Sequence, residues 1–279
     1  MSASRDFQEK TVTLPNGLTL HYYEWSGPRP NLVLLHPSSG YGRMWEETAR
    51  ALGSAFHVYA LDQRGHGDSG RSDGEYSAEE YADDLHLFFR QVGIDKAIVA
   101  GQSLGGRVGQ VFAAVYPAEI QGLGLVGGPH VSNFFPTRAE TIKVLSSAHR
   151  MLESQADFAS RDAALAYLRT FRPRDQESAL RHRLEHNFVP TAGGVAVKYD
   201  KVRVALGLAH MADDMRKCPV VILRGTVSSE LTPAQAKEIA GCWKNAVVVD
   251  VEGDYALQME NPAGLAQALS TFAAQAVRE

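Results

Sequence analysis

Cysteine is scarce: the 279-residue chain holds two, Cys218 and Cys242. Two thiols form neither a disulfide framework nor a four-ligand metal site. Both stand beside apolar, strand-like runs, so buried thiols in a reducing compartment are expected. Long apolar runs are also missing, and no stretch is suited to crossing a bilayer. The first residues, Met1-Ser2-Ala3-Ser4-Arg5-Asp6, lack the apolar centre of a signal peptide, which makes the cytoplasm the expected location. Neither sign of charge dominates: the formal net charge is −4, with no long run of one sign. Neither nucleic acid nor a membrane is therefore the expected partner. No phosphate loop, dinucleotide fingerprint or metal constellation occurs, so no cofactor is expected. Internal repeats and low-complexity tracts are absent, and oligomeric state leaves no mark on the sequence.

Apolar residues make up 44% of the chain, enough for a sizeable core in one large domain or a domain with an insertion. The front end reads as a hairpin. Thr11 to Leu14 and Leu18 to Tyr23 flank Pro15-Asn16-Gly17, a turn signal. Short, almost wholly apolar strands follow at 31–35, 56–61, 97–100, 123–126, 220–223 and 247–251. Continuous runs of this kind suit a parallel sheet covered on both faces. Helical patterns fall between them. Ser77 with Glu80 reads as a capping box ahead of Tyr81, Leu85, Phe88 and Val92. Thr232-Pro233 and Asn261-Pro262 each set a capping side chain before a proline at the first helical position. The alternation predicts an α/β layered domain. From about Val131 to about Met215 it stops. No buried strand is evident there, and Gln155 to Phe171 and Gln176 to Phe188 have amphipathic helical patterns. The expected organisation is a core of residues 1–130 and 216–279, with a helical cap, 131–215, over the C-terminal edge of the sheet.

The pentapeptide Gly101-Gln102-Ser103-Leu104-Gly105 joins the strand at 97–100 to a helical pattern from Leu104 to Tyr116, which carries Val108, Val111, Phe112 and Val115 on one side. Such a corner is so tight that only glycines fit beside the serine, and its hydroxyl is pushed out at the strand's C-terminal end. Other motifs keep a fixed order around it. Leu34-Leu35-His36-Pro37-Ser38-Ser39-Gly40 ends one strand, Asp62-Gln63-Arg64-Gly65-His66-Gly67-Asp68-Ser69 the next, and Leu223-Arg224-Gly225 closes a late one. Together these resemble the α/β-hydrolase superfamily over nearly the whole chain. The resemblance implies a mostly parallel eight-stranded sheet with helices on both faces, a cap that shapes a small-molecule pocket, and Ser103 as nucleophile. It also implies an oxyanion hole, with one donor from the backbone N–H of Leu104 and another from the loop after His36. Pro37 has no N–H, so Ser38 is the expected second donor. Two amides aimed at developing charge contribute several kcal/mol in a dry site.

The resemblance stops short of the proton-transfer pair. Relatives carry a histidine in the loop after the last strand, shortly before a Glu-Asn-Pro-like helix start. Here that loop runs Val251-Glu252-Gly253-Asp254-Tyr255-Ala256-Leu257-Gln258-Met259-Glu260-Asn261-Pro262. The position falls on Tyr255, or on Asp254 with a one-residue gap, and the last histidine of the chain is His210. The acid that relatives carry after Arg-Gly falls on Ser229, beside Glu230. The alternative acid position, after the strand at 123–126, holds Gly127-Gly128-Pro129. Ser103 and Tyr255 are therefore the expected catalytic residues. The phenol, with an unperturbed pKa of about 10, would donate a proton or orient Ser103; the plain alternative is a pocket-wall tyrosine. His36, His130, Ser229, Glu230 and Asp254 are accessory candidates. The plain reading of His36 is a prop for the oxyanion loop, of His130 a surface histidine, and of His66 a structural turn. His182 and His186 share a helix face at a spacing that can bind zinc. With Arg181, Arg183 and Glu185 around them and no third ligand, a solvated face is expected. Phe134, Phe135, Tyr41 and Trp45 are expected to line a pocket or to pack cap against core.

In a well-studied serine protease, loss of the base costs about 10⁶ in rate and leaves about 10³–10⁴ of acceleration. Fast ester hydrolysis with an ordinary histidine is therefore not expected. The first expectation is a small-molecule enzyme that uses Ser103, the oxyanion amides and a non-standard proton-transfer group to cleave an acyl, amide or carbon–carbon bond. A cofactor-free lyase or cyclase in the same pocket and a non-catalytic binding protein are the alternatives.

Overall fold

The computed structural model describes residues 6–73, 76–127, 157–171, 175–198, 218–228, 230–241, 243 and 245–277. Its strands are β1 (Gln8–Thr13), β2 (Thr19–Trp25), β3 (Asn31–Leu35), β4 (His57–Asp62), β5 (Ala97–Gln102), β6 (Ile120–Val126), β7 (Phe188–Thr191), β8 (Gly194–Val197), β9 (Val220–Gly225) and β10 (Ala246–Val251). The helices are α1 (Glu46–Leu52), α2 (Ala78–Val92), α3 (Leu104–Val115), α4 (Arg161–Phe171), α5 (Glu177–His186), α6 (Pro233–Gly241), α7 (Leu257–Glu260) and α8 (Pro262–Ala276). Eight strands form one sheet in the order β1-β2-β4-β3-β5-β6-β9-β10. β1 pairs antiparallel with β2, and β2 antiparallel with β4. The other pairs in this sheet are parallel.

The apolar strands explain the layering. Successive side chains of a strand point to opposite faces. Val33 and Leu35 of β3, with Ala97 and Val99 of β5, pack on α2 and α3 through Phe88, Phe89, Val108 and Phe112. Leu32, Leu34, Ile98 and Ala100 face the other way, onto Ala49 and Leu52 of α1 and Leu265, Leu269 and Phe272 of α8. β10 departs from the expected double coverage. It is an edge strand paired only with β9, and Val247 and Val248 are 44% and 39% exposed.

Local capping follows the residue types. The Ser77 hydroxyl accepts from the Glu80 amide at 3.2 Å, but the Glu80 carboxylate turns to Arg64 Nη1 at 2.8 Å, so one half of the capping box forms. Thr232 Oγ1 accepts from Gln235 N at 3.3 Å, and Asn261 Oδ1 from Gly264 N at 2.9 Å. Cys218 is buried, which pushes its thiol pKa up to about 11; Cys242 lies outside the described residues.

Within the segment read as a helical cap, α5 falls within the second amphipathic pattern and α4 within the first, expected from Gln155; the helix begins only at Arg161, because Phe158 pairs with Val195 as an antiparallel bridge. The segment also contains a short antiparallel hairpin, β7 with β8. Most of its residues are at least partly exposed, so a search for buried strands misses it, and the segment is not wholly helical. A small core of Ala164, Leu165, Leu168, Leu180, Leu184, Phe188 and Val195 holds these pieces together. Residues 131–156 and 199–215, with Phe134 and Phe135, lie outside the described residues.

The sheet and α3 meet closely at one point. A Cβ on Gly105 would sit 2.3 Å from the carbonyl oxygen of Leu35, and one on Gly101 would sit 2.2 Å from the carbonyl carbon of Gly105. Gly105→Ala is expected to destabilise the protein by about 3 kcal/mol through overpacking against backbone. A urea midpoint equal to that of the parent protein would contradict this packing.

Candidate active site

β5 turns into α3 at Ser103, whose φ of 50° and ψ of −112° make it the single non-glycine residue with positive φ among those described. Such strain costs on the order of 1–3 kcal/mol and persists only where surrounding structure enforces it. The glycines at 101 and 105 remove the side chains that would prevent the turn. Ser103 precedes the helix, yet its hydroxyl does not cap it. Leu104 is the first residue of α3, so its N–H is one of the amides that a helix leaves without an internal partner. The Gly105 N–H instead donates to His36 O at 3.1 Å, tying the serine turn to the loop after β3.

That loop is held by its carbonyl groups. His36 is fully buried. Its Nε2 accepts from the Gln63 amide at 3.0 Å, so its Nδ1–H donates, to Pro37 O at 2.8 Å. Burial, aided by the His66 ring and opposed by the Pro37 bond, holds its pKa well below the usual histidine range. Gln63 Nε2 donates to His36 O at 2.8 Å, and Gly40 N to Pro37 O at 2.7 Å. His66 Nε2 lies 2.8 Å from Ser38 O, and its Nδ1 2.9 Å from Arg64 O. Ser39 O accepts from Arg183 Nη1 and Asn187 Nδ2, both at 3.3 Å. With the carbonyls of residues 36–39 all engaged, this stretch of backbone has a fixed orientation.

The loop after β10 reaches the same corner. Gln102 Nε2 donates to Tyr255 O at 2.7 Å, and Gln102 Oε1 accepts from Gln258 Nε2 at 2.5 Å. Glu260 folds this loop by accepting from the amides of Asp254, at 2.5 Å, and Ala256, at 3.2 Å. Tyr255 backbone thus stands beside the residue preceding Ser103, and Tyr255 itself is partly exposed. Glu230 is exposed, and its amide donates to Ser228 Oγ at 3.2 Å. Ser229 and His130 lie outside the described residues.

Each described histidine has partners other than Ser103. His57 meets Glu24 at 2.6 Å, and His86 meets Glu119 at 2.9 Å. His182 is not on a solvated face: its Nδ1 is 2.8 Å from Tyr41 Oη and its Nε2 3.4 Å from Glu46 Oε2. The His186 ring packs on it at 4.5 Å, and burial together with the neighbouring His182 lowers its pKa to about 4. Tyr41 and Trp45 are both essentially buried, Tyr41 between the loop and α5.

His21 lies between Asp62 Oδ2, at 2.9 Å from Nδ1, and Glu9 Oε1, at 3.0 Å from Nε2. Burial opposes charge on this ring, but the Asp62 bond and the charges of Asp62, Glu9 and Asp68 outweigh it and raise the pKa. Glu9, His21 and Asp68 bring ligand atoms within 4.8 Å of one another, a grouping able to take a cation. The ring is already paired between carboxylates, as a structural cluster joining β1, β2 and β4. Sequence spacing offers no sign of this group, nor of the Gln102–Gln258 pair or the contacts of Arg183. These depend on strand register and on a loop returning from 150 residues away.

Residues 30–191 match the model of the α/β-hydrolase fold family. The chain belongs to that family. A 2-(acetamidomethylene)succinate hydrolase of Mesorhizobium japonicum is 27% identical over 97% of this chain and 96% of its own length. An esterase of Mycobacterium tuberculosis is 26% identical over 86% of this chain and 82% of its own. Among solved structures, an E-2-(acetamidomethylene)succinate hydrolase superposes with a TM-score of 0.80 at 26% identity, covering 95% of this chain and 98% of the other.

Glu46 joins this site to the body of the protein. Burial opposes its ionisation, but hydrogen bonds from His182 and Arg43 and the charges of Arg43 and Arg50 prevail and hold its pKa at about 2. A lowered carboxyl pKa contributes stability above the unfolded value, lost as pH falls through the folded one. Glu46→Gln is therefore expected to be less stable than the parent at pH 7, by a few kcal/mol. The gap should close between about pH 4.5 and 2. Urea unfolding across that window checks it, and a constant gap would refute the assignment.

Proposed function

We propose that the protein hydrolyses an ester or amide of a small organic molecule by acyl transfer to Ser103. In this reading the N–H groups of Leu104 and Ser38 receive the developing oxyanion, and Tyr255 stands where relatives carry histidine. Residues 131–215 act as the cap over the pocket. The observation that carries the reading is the strained Ser103 backbone, kept by glycines on either side. Strain of this kind clusters where chemistry uses it. The hydrolase and esterase names of the two relatives support the same reaction class.

The steps follow from the groups present. Ser103 Oγ attacks the acyl carbon and loses its proton to solvent base, while the carbonyl π bond opens onto the oxygen facing the two amides. The tetrahedral species collapses, the bond to the leaving group breaks, and the Tyr255 phenol supplies the leaving group's proton. Water then cleaves the acyl-serine: its oxygen bonds the acyl carbon, its remaining proton restores the Ser103 hydroxyl, and the phenolate regains its proton from the conjugate acid of the solvent base. His36 cannot serve as base, since its Nδ1–H is engaged by Pro37 O and its Nε2 by the Gln63 amide of the turn after β4.

A specific observation favours a second, non-hydrolytic reading: the Ser103 hydroxyl makes no hydrogen bond to any described residue. A lyase or cyclase would need only the polarising amides. A fluorophosphonate probe separates the two. Hydrolysis through Ser103 predicts labelling that Ser103→Ala abolishes, together with loss of p-nitrophenyl acetate turnover. Without an imidazole base the labelling rate should rise about tenfold per pH unit from 7 to 9. A plateau above an inflection near pH 6.5 that His130→Ala removes would restore a histidine base. Turnover surviving in Ser103→Ala would favour the second reading. Tyr255→Phe is expected to slow turnover of alkyl amides, with poor leaving groups, by about 10²-fold; equal kcat would remove the phenol from the scheme.

A further inference from the structure

Arg183 is a cation 3% exposed whose guanidinium is only partly satisfied. Nη1 donates to Ser39 O at 3.3 Å, and the group lies 5.8 Å from the centroid of the Tyr41 ring. Its Nε and Nη2 are buried without a hydrogen-bond partner. These two nitrogens form one edge of the guanidinium plane, the edge that grips a carboxylate with two parallel hydrogen bonds. No described carboxylate occupies it. Asp175 acts electrostatically on Tyr41, yet its Oδ2 is itself without a partner. Asn187, one turn further on, is 2% exposed and also binds Ser39 O, leaving its Oδ1 buried and unpaired.

A buried charge left unpaired is costly, and native proteins pair such charges. Through Nη1 the same guanidinium holds Ser39, the residue after the oxyanion donor assigned to Ser38. We propose that Arg183 is the subsite for a carboxylate on the substrate, held bidentate by Nε and Nη2, with Asn187 Oδ1 accepting from a neighbouring N–H or O–H of the same molecule. This rests on the reading of the pocket as an acyl-transfer site and adds its substrate class, a carboxylate-bearing ester or amide. Both nitrogens are shut off from solvent, so the anion reaches them by displacing the groups that cover that edge, with α5 held in place by its own core. Arg183 also supports the oxyanion loop through Ser39, so rate alone would not separate recognition from scaffolding.

Binding separates them. Ser103→Ala protein, which removes the chemistry, is titrated calorimetrically with sodium succinate and with neutral succinamide. Saturable succinate binding is expected, at least about tenfold tighter than succinamide. It should weaken about 10–100-fold when Arg183→Gln is added, the loss of a charged bidentate pair. Arg183→Lys keeps the charge without the fork and should fall between the two, which preserves the test if the glutamine variant fails to fold. Absent succinate binding, equal affinity for succinamide, or undiminished binding in either Arg183 variant would overturn the proposal. The hydrolytic reading is scored separately by fluorophosphonate labelling of the unmutated protein. Labelling without succinate binding removes the subsite and keeps the nucleophile; binding without labelling does the reverse.

Discussion

One hydrogen bond, from the Gly105 N–H to the His36 carbonyl, fixes the separation of the serine turn and the loop after β3. It requires backbone-to-backbone approach, because Gly105 lies so close to Leu35 that a methyl group would overlap it. The turn and the loop belong to adjacent parallel strands, β5 and β3, so their relative height is set by sheet register. The bond then fixes how the loop leaves its strand. A loop attached by side chains alone would have several orientations of similar energy. Here His36, Gln63, His66, Arg183 and Asn187 engage its carbonyls in turn. An amide plane with its oxygen fixed has its N–H fixed as well. Preorganised amides of this kind stabilise charge without reorganising at the moment of reaction.

Much of this frame was legible in the sequence. Gly101 to Gly105 signalled the corner because glycine alone tolerates the approach. The continuous apolar runs signalled a sheet covered on both faces, since each strand must serve two cores. β10 misled for a physical reason: a strand's composition does not report whether a neighbour lies beyond it, and Val247 and Val248 stand on the open edge. The hairpin of β7 and β8 escaped because its strands are four residues each and mostly at least partly exposed, too short and too little buried to read as sheet strands. His182 and His186 were misread because their neighbours Arg181 and Glu185 are indeed exposed. A helix face two residues wide turns inward onto Tyr41, and nothing in the local pattern says what it meets. The Gln102–Gln258 bond is illegible in principle from one sequence, since two glutamines 156 positions apart share no spacing rule.

The carboxylates show a division of labour. Asp62 is 1% exposed and accepts from the amides of Gly42, at 2.6 Å, and Asp68, at 3.0 Å, as well as meeting His21. It shapes the turn after β4, where Gly67 packs so close to it that a Cβ would lie 2.1 Å from the carboxyl carbon. Asp84 binds the Arg64 guanidinium through Nε at 2.5 Å and Nη2 at 2.8 Å. Arg64 in turn presents the carbonyl that His66 meets. Buried charge in this half of the molecule is thus paired, and removing one partner would strand the other. These pairs support the loop after β3 through the Gln63-to-His66 turn.

Arg183 breaks that pattern, and the contrast gives its unpaired edge meaning. Its helix does not depend on that edge for anchorage. Leu180 and Leu184 bury into the small core with Phe188 and Val195, and His182 ties the helix to Tyr41 and Glu46. Since Glu46 stays ionised down to about pH 2, that tie holds across the ordinary pH range. The attachment of α5 is therefore complete without two of the best hydrogen-bond donors it carries. A scaffold arginine normally uses its fork, because desolvating a guanidinium without a counter-charge costs several kcal/mol. Arg64 with Asp84 and Arg224 with Asp250 show two buried guanidinium groups of this chain held bidentate. Arg183 is buried about as deeply as Arg64 and has no such partner among the described residues, which is what the proposed substrate carboxylate would supply.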